Sequence, residues 1–416
     1  PATFNPQSGR PRTPGGDALR PRCRARLQFF FSMPLQPLLS AEAIAANMAE
    51  LKPPLRPHEA VIEASRCLFC FDAPCIMACP TGIDVPAFIK KIASDQPAGA
   101  ARTILSANIL GASCARVCPT EVLCEGACVL EDREHQPIQI GRLQRFATDY
   151  AADRDLDVLP PRAAATGHRV AVIGAGPAGL GCAAELARLG HAVTIFEKKR
   201  QPGGLNTHGI ACYKMQPAVS LAEVELVQSL GVELRCGLEI GRDVSVAELE
   251  RDYAALFLGI GLGEAQRLRI PGENLPEVRD ALSFIEELRT QPLSTVATGR
   301  TVVVVGCGNT AIDAATQSAR LGADRVLVVY RRGEDDMSAY AFEYALAQRD
   351  GATFLFHATP VEILADREGH VCGVRLVRTR VTAAGRVEPI PGSETVEPCD
   401  LVLTAVGQEK QIAALR

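Results

Sequence analysis

Several features are missing from this 416-residue chain, and each absence removes a class of function. It has no basic surplus: the net charge is -4, against the basic footprint usual in nucleic-acid-binding domains. No apolar run approaches the roughly 20 residues that a membrane-spanning helix needs. No convincing secretory signal precedes the cysteines, and the chain is far longer than the small secreted domains that depend on disulfides. Short tandem repeats are absent too. What remains, 47% apolar and 22% charged residues, is the composition of a globular protein with room for two or three domains.

Fifteen cysteines stand out against that ordinary background. Eight fall in two groups: Cys67, Cys70, Cys75 and Cys79, then Cys114, Cys118, Cys124 and Cys128. Thiolates at such short spacings converge on one soft metal centre, and proline follows both Cys79 and Cys118, as it follows cysteine in ferredoxin-like runs. Zinc is the competing reading, but it favours one closed set of four ligands in paired Cys-x-x-Cys units. Only Cys67–Cys70 has that spacing, so iron–sulfur clusters are expected rather than zinc or disulfides. The other cysteines (Cys23, Cys182, Cys212, Cys236, Cys307, Cys372, Cys399) are scattered, and buried structural thiols are the default there.

Residues 1–32 are rich in proline, glycine and arginine, begin with Pro1, and are expected to be a disordered leader ahead of a start at Met33. Residues 33–150 read as a helical iron–sulfur domain, with helical patterns at 85–93 and 98–106, and residues 151–167 as a linker. From residue 168 buried strands alternate with amphipathic helices, the pattern of a parallel α/β sheet. The strand–glycine turn–helix device occurs twice, so two nucleotide sites are expected, over 168–265 and 266–408, with 409–416 beginning a return to the first of these domains.

In the first device Gly174, Ala175, Gly176, Pro177, Ala178 and Gly179 join a buried strand to a helix. The glycines permit the tight turn, the approach of a pyrophosphate and close helix–strand packing. The helix N-terminus offers free N–H groups to phosphates. Glu197 ends the next strand 18 residues after Gly179, near the spacing expected of a ribose-binding carboxylate. The second device carries Gly306, Cys307, Gly308, Asn309 and Thr310, with Ala311 at the third position. Its following strand ends in Arg331 and Arg332, where an NAD site carries an acid. Arginine there pairs with the 2′-phosphate of NADP, which leans the reading towards NADPH. Against it stand Glu334, Asp335, Asp336 and Ser338, and the alternative that both arginines are solvated.

Taken together, residues 66–80, 108–128 and 138–147 resemble the N-terminal domain of dihydropyrimidine dehydrogenase, above all its bacterial electron-input subunit, PreT. The small subunit of glutamate synthase shares the layout. The resemblance covers about residues 50–410. It implies a helical double [4Fe–4S] domain followed by two Rossmann-like domains, similar to adrenodoxin and thioredoxin reductases. It further implies that Cys67, Cys70, Cys75 and Cys128 hold one cluster. Cys79, Cys118 and Cys124 would hold the other, completed by Gln144, which taken alone reads as a solvated helix residue. Cys114 matches a family cysteine that is not a ligand.

FAD contacts are implied at Gly204, Leu205, Lys214 and Ile240, the crossover between domains at 258–262, and a closing nicotinamide motif at Ala405, Val406 and Gly407. Gln144 and the Gly259–Leu262 wording favour dihydropyrimidine dehydrogenase over glutamate synthase. The family's last FAD segment, with its Gly-Asp dipeptide, has no counterpart before Arg416, so a fragment with weakened FAD binding is expected.

The activity implied is that of an oxidoreductase relaying electrons from NAD(P)H through FAD and two clusters to a PreA-like FMN/iron–sulfur catalytic subunit in the cytoplasm, for uracil or thymine reduction. No catalytic side chain is needed for hydride transfer to flavin. His208 and Tyr213 are read as packing residues. Two alternatives stay open: a glutamate synthase small subunit, and a non-catalytic nucleotide-binding or assembly protein.

Overall fold

Proline in the first helical turn lacks only an N–H that would be unsatisfied there anyway, and its fixed φ suits the helix. Four helices of the cysteine-rich region start this way: Pro57–Ser65, Pro74–Met77, Val85–Ala93 and Pro97–Ala107. The computed structural model describes Leu35 and residues 37–411. The predicted leader therefore lies outside the described residues. Helices Gly111–Val117, Val129–Glu134 and Ile140–Ala152 complete this all-helical unit. Its core is Phe88, Ile89, Ile104, Leu143 and Ala147, each with no exposed surface. Burying a Phe or Leu so fully contributes about 1.5–3 kcal/mol.

Two parallel sheets follow. In the first, β1 (Arg169–Ile173), β2 (Ala192–Glu197), β3 (Glu233–Cys236) and β4 (Ala255–Leu258) run in the order β3-β2-β1-β4. The second comprises β5 (Val278–Asp280), β6 (Thr301–Val305), β7 (Arg325–Val329), β8 (Thr353–Leu355) and β13 (Leu401–Thr404), in the order β5-β13-β6-β7-β8. Each central strand, β1 and β6, is buried from its second residue onward, and each leads into a glycine turn and a helix, Pro177–Arg188 or Asn309–Arg320.

The alternation expected from the sequence is interrupted between β8 and β13. There β9 (Ala358–Ala365), β10 (Val371–Val381), β11 (Val387–Pro389) and β12 (Thr395–Glu397) form an antiparallel sheet centred on β10.

Helix Ala41–Asn47, capped by Ser40, packs away from the cysteine-bearing helices. Ile44 and Met48 join Val302, Val304 and Ala315 in the core of the second α/β unit. Asn47 and Arg320 exchange side-chain-to-carbonyl hydrogen bonds of 2.9 and 3.0 Å. The chain thus begins its described part on the second α/β unit and crosses from there to the helical unit.

The helical unit meets the first sheet's domain through Glu223, on helix Pro217–Ser229. Its carboxyl accepts from the Ser113 N–H at 2.8 Å and pairs with the Ser113 hydroxyl, out of water. Burial pushes its pKa up from 4.5 to about 7, the Ser113 bonds only partly opposing. The folded state therefore holds this proton where the unfolded chain has released it. Its stabilisation is complete below the unfolded value and is lost as pH rises through about 7, a swing on the order of 3 kcal/mol. We expect E223Q to flatten that part of the pH dependence of urea unfolding between pH 5 and 8. E223A should cost about 1–3 kcal/mol throughout, since Ser113 loses its partner.

Candidate functional site

The first cysteine group folds around a short helix. Cys67 and Cys70 lie in the loop after Pro57–Ser65, Cys75 in Pro74–Met77, and Cys128 caps Val129–Glu134. These four sulfur-bearing residues line one cavity, whose remaining wall is apolar, including Val85, Ile89, Leu130, Ile138 and Ile140. Burial, followed by the nearness of Cys67 and Cys128, pushes the Cys75 thiol up to about 11. Cys67 is raised for the same first reason, with Cys128 and Cys70 adding to it. Thiols so placed resist joint ionisation unless a cation sits among them, and a bound metal ion deprotonates a coordinating thiol outright.

Cys79, Cys118 and Cys124 form the second group. Burial, then Glu125 and Cys79, pushes the Cys124 thiol up to about 12, and Cys118 is raised by its bond to Cys114 and by burial, with Cys124 and Cys79 contributing. Gln144 is not a solvated helix residue: it is 5% exposed, and its amide nitrogen donates to the Gly111 carbonyl at 2.8 Å. Cys114 adjoins Cys118, Gln144 and Asn108. No three Cys, His, Asp or Glu side chains among the described residues converge on a single-ion site. A four-iron cluster does not require such convergence, because each thiolate binds its own iron. The donor chemistry of both groups fits iron–sulfur clusters.

At the end of β1, Gly174 has φ +101° and a Cβ there would strike the Gly259 carbonyl oxygen. The first glycine turn and the crossover after β4 are thus in direct backbone contact. Gly176 lies under Gly204, whose φ is +56°. Ala175 N–H donates to Glu197 at 2.7 Å and Lys199 N–H to its other oxygen at 2.8 Å, so the carboxylate is held at the mouth of the turn. Pro177, Ala178 and Gly179 open the helix behind it, and Leu205 is half exposed beside Gly204. Ile240 pairs with Val244 and packs beside Phe196. Lys214, expected at this cradle, is instead engaged by the second α/β unit: its ammonium lies 2.7 Å from Asp313 and 2.6 Å from Glu343.

The second glycine turn opens into a larger cavity. Gly306, Cys307, Gly308, Thr310, Ala405, Val406 and Gly407 line it, together with Arg331 and Ser338. Asn309 instead accepts from the Tyr340 N–H at 3.0 Å, and Arg332 lies outside the lining. Sequence reasoning missed several parts of this wall, among them residues 265–268, Ala281 and Leu282, and residues 358–360 at the start of the antiparallel insertion. The run Val371–Val381, rich in valine and other residues that favour strands, carried the only signal for that insertion.

Residues 44–156 match the profile of the dihydropyrimidine dehydrogenase domain II, 4Fe–4S cluster family, and residues 168–416 that of pyridine nucleotide-disulphide oxidoreductases. The chain belongs to the pyridine nucleotide-disulphide oxidoreductase family. Among its relatives is the putative oxidoreductase AegA of Escherichia coli, 36% identical over 89% of this chain and 58% of that protein. The glutamate synthase [NADPH] small chain of Halomonas elongata is 36% identical over 88% of this chain and 80% of its own length. The NAD-dependent dihydropyrimidine dehydrogenase subunit PreT of Salmonella typhimurium is 37% identical over 76% of both chains.

This is an FAD- and NAD(P)-dependent oxidoreductase with a 4Fe–4S domain. No described helix is long and apolar enough to cross a membrane.

Gly306 offers a direct test of the second turn. Its φ is +124°, and a Cβ would strike the Ala405 carbonyl oxygen. We expect G306A to lower unfolding stability by about 1–3 kcal/mol, the usual cost of such strain, read from the urea midpoint.

Proposed function

We propose that this chain is the electron-input subunit of a two-component reductase, taking reducing equivalents from NAD(P)H and delivering them through its helical domain to a PreA-like partner. The observation that carries this reading is the cavity walled by Cys67, Cys70, Cys75 and Cys128, on a chain that also presents two glycine-turn nucleotide cradles. Bound FAD supplies the exchange between one two-electron hydride transfer and two one-electron transfers, and bound clusters supply the one-electron path.

The residues' own parts are to bind and orient. Gly174–Gly179 and the following helix N-terminus receive the FAD pyrophosphate, and Glu197, fixed by two backbone N–H groups, receives a ribose hydroxyl. Gly306, Gly308, Thr310 and Gly407 receive the nicotinamide nucleotide. Cys67, Cys70, Cys75 and Cys128 hold one cluster; Cys79, Cys118, Cys124 and the Gln144 amide oxygen hold the second. An amide is neutral, so the second site carries one negative charge fewer, a change that shifts reduction potential. Positioning, rather than proton transfer by a side chain, carries the rate.

Pyrimidine reduction by the partner is the preferred destination for the electrons. Supporting it are the match to the dihydropyrimidine dehydrogenase domain and the amide at Gln144. Glutamate synthesis is the second reading, favoured by the equally similar glutamate synthase small chain. A pull-down from the native host that recovers a glutamine amidotransferase subunit would overturn the first in favour of the second.

Two measurements test the core proposal. Anaerobically purified protein should contain about eight iron and eight acid-labile sulfide per chain, as two [4Fe–4S] clusters require. Four would sink the Gln144 site, and zinc in place of iron would sink the relay. FAD-loaded protein should bleach on anaerobic addition of NAD(P)H. For the nucleotide, Arg331 lines the cavity and Arg332 does not. R331A should therefore weaken NADPH relative to NADH by tenfold or more, and R332A should leave that ratio within about twofold, since one charge-assisted contact is worth roughly 1.5–3 kcal/mol.

A further inference from the structure

The segment that follows Gly204 belongs by sequence to the first α/β unit but is buried in the second. Ala211, Tyr213 and Met215 have no exposed surface, and Ala211, Cys212 and Tyr213 pack with Val302, Phe284 and Ala311. Arg289, near the end of helix Ala281–Thr290 in the second unit, reaches into this segment. Its Nε donates to the Thr207 carbonyl at 2.8 Å, one Nη to the Asn206 carbonyl at 2.9 Å and the other to the Met215 carbonyl.

Arg289 is 7% exposed, and no carboxylate lies within ion-pair distance of it among the described residues. A buried cation without a counter-acid costs stability, and here its donors go to three backbone carbonyls, with the Cys212 side chain beside them. Side chains from the same unit grip the segment further along: Gln317 accepts from the Cys212 N–H at 3.2 Å, Asp313 from the Tyr213 hydroxyl at 2.9 Å, and Lys214 pairs with Asp313 and Glu343.

We infer that Arg289 is a positioning residue for flavin reduction: from the nicotinamide side it fixes the backbone of residues 206–215, and thereby Gly204 and Leu205, against the nicotinamide site. The consequence rests on the FAD and NAD(P)H sites proposed above. A planar fork with five donors serves three carbonyls fanned about it, and a lysine ammonium does not reproduce that geometry. Arg289 touches no reacting atom. It keeps the flavin-facing loop and the nicotinamide cavity in one register, so loss of the fork loosens the loop before it loosens the domain.

The test is backbone hydrogen exchange on the full chain, joined to anaerobic flavin reduction. In the wild type the amides of Thr207, His208, Cys212, Lys214 and Met215 should exchange within tenfold of those of β6. In R289M and R289K they should exchange at least tenfold faster, while β6 stays within twofold. With FAD bound, the single-turnover rate of flavin reduction should fall at least tenfold, with the dissociation constant for NAD(P)+ within twofold.

Unchanged exchange at 207–215 overturns the proposal, and so does equal acceleration of β6, which would make Arg289 an ordinary stability residue. An unchanged reduction rate in a chain whose loop has loosened overturns it as well. Should R289M fail to fold, R289Q, which keeps an uncharged donor, takes its place. If wild-type flavin is not bleached by NAD(P)H, the proposed function fails, while the exchange result still decides the role of Arg289 in the loop.

Discussion

A phenol buried without water has to hydrogen-bond to something, and in this chain that requirement joins its units. Tyr213 has no exposed surface; its hydroxyl donates to Asp313, its carbonyl accepts from the Leu51 N–H at 3.0 Å, and the Arg320 guanidinium lies 4.2 Å from its ring centre. Asp313 and Arg320 share the helix that opens at the second glycine turn, and Leu51 lies on the path into the helical unit. Removing the hydroxyl would leave Asp313, already beside Glu343, with one donor fewer in a site that lacks solvent. Two carboxylates face the single Lys214 ammonium there, and burial first, with Asp313 adding, raises the Glu343 pKa. The junction is therefore held by geometry as much as by charge, since a buried ion pair repays its desolvation only when every hydrogen bond is satisfied.

Because this junction fixes residues 206–215, the two nucleotide cradles are not independent modules on a linker. The first glycine turn touches the crossover through Gly174 and Gly259, and the crossover leads into the wall of the second cavity at Leu262 and Ala265. The loop after Gly204 is in turn buried in the second unit. Each cradle is therefore positioned partly by residues of the other, and helix Ala41–Asn47 adds a further bracket from the chain's N-terminal side.

Local signals in the sequence were sufficient for the two parallel units. Glycine turns, buried valine strands and the terminal acid at Glu197 each report on a neighbourhood of about ten residues, and β1, β2, β6 and β7 fall where those signals lie. The antiparallel insertion was harder to see, because β11 and β12 are three residues each and even the long β10 shows no clean alternation, its burial running through four successive residues at its start. Gln144 shows a different limit. Its burial is set by Gly111, far away in sequence, so a polar residue on an amphipathic helix gave no hint of being buried. The same is true of Ile44 and Met48, whose cluster partners begin only at Ala211 and lie mostly in the second α/β unit. Long-range packing, not propensity, decided these cases.

The two cysteine groups occupy unlike surroundings, and that asymmetry bears on the direction of electron flow. The group containing Cys118 is carried on the segment that touches the rest of the molecule. Ser113, five residues before Cys118, binds Glu223 of the first α/β unit, and Glu121, between Cys118 and Cys124, lies near enough to Glu343 of the second unit to raise its pKa. The group containing Cys67 faces the other way: Leu68, Phe71 and Met77, interleaved with its ligands, are 54%, 105% and 85% exposed. On the proposed ligand assignment, the site completed by neutral Gln144 is the inner one, on the side of the nucleotide cradles. The all-cysteine site is the outer one, beneath an exposed apolar surface. An inner site with less negative charge holds an arriving electron at lower electrostatic cost, while the outer all-thiolate site sits where an acceptor can approach.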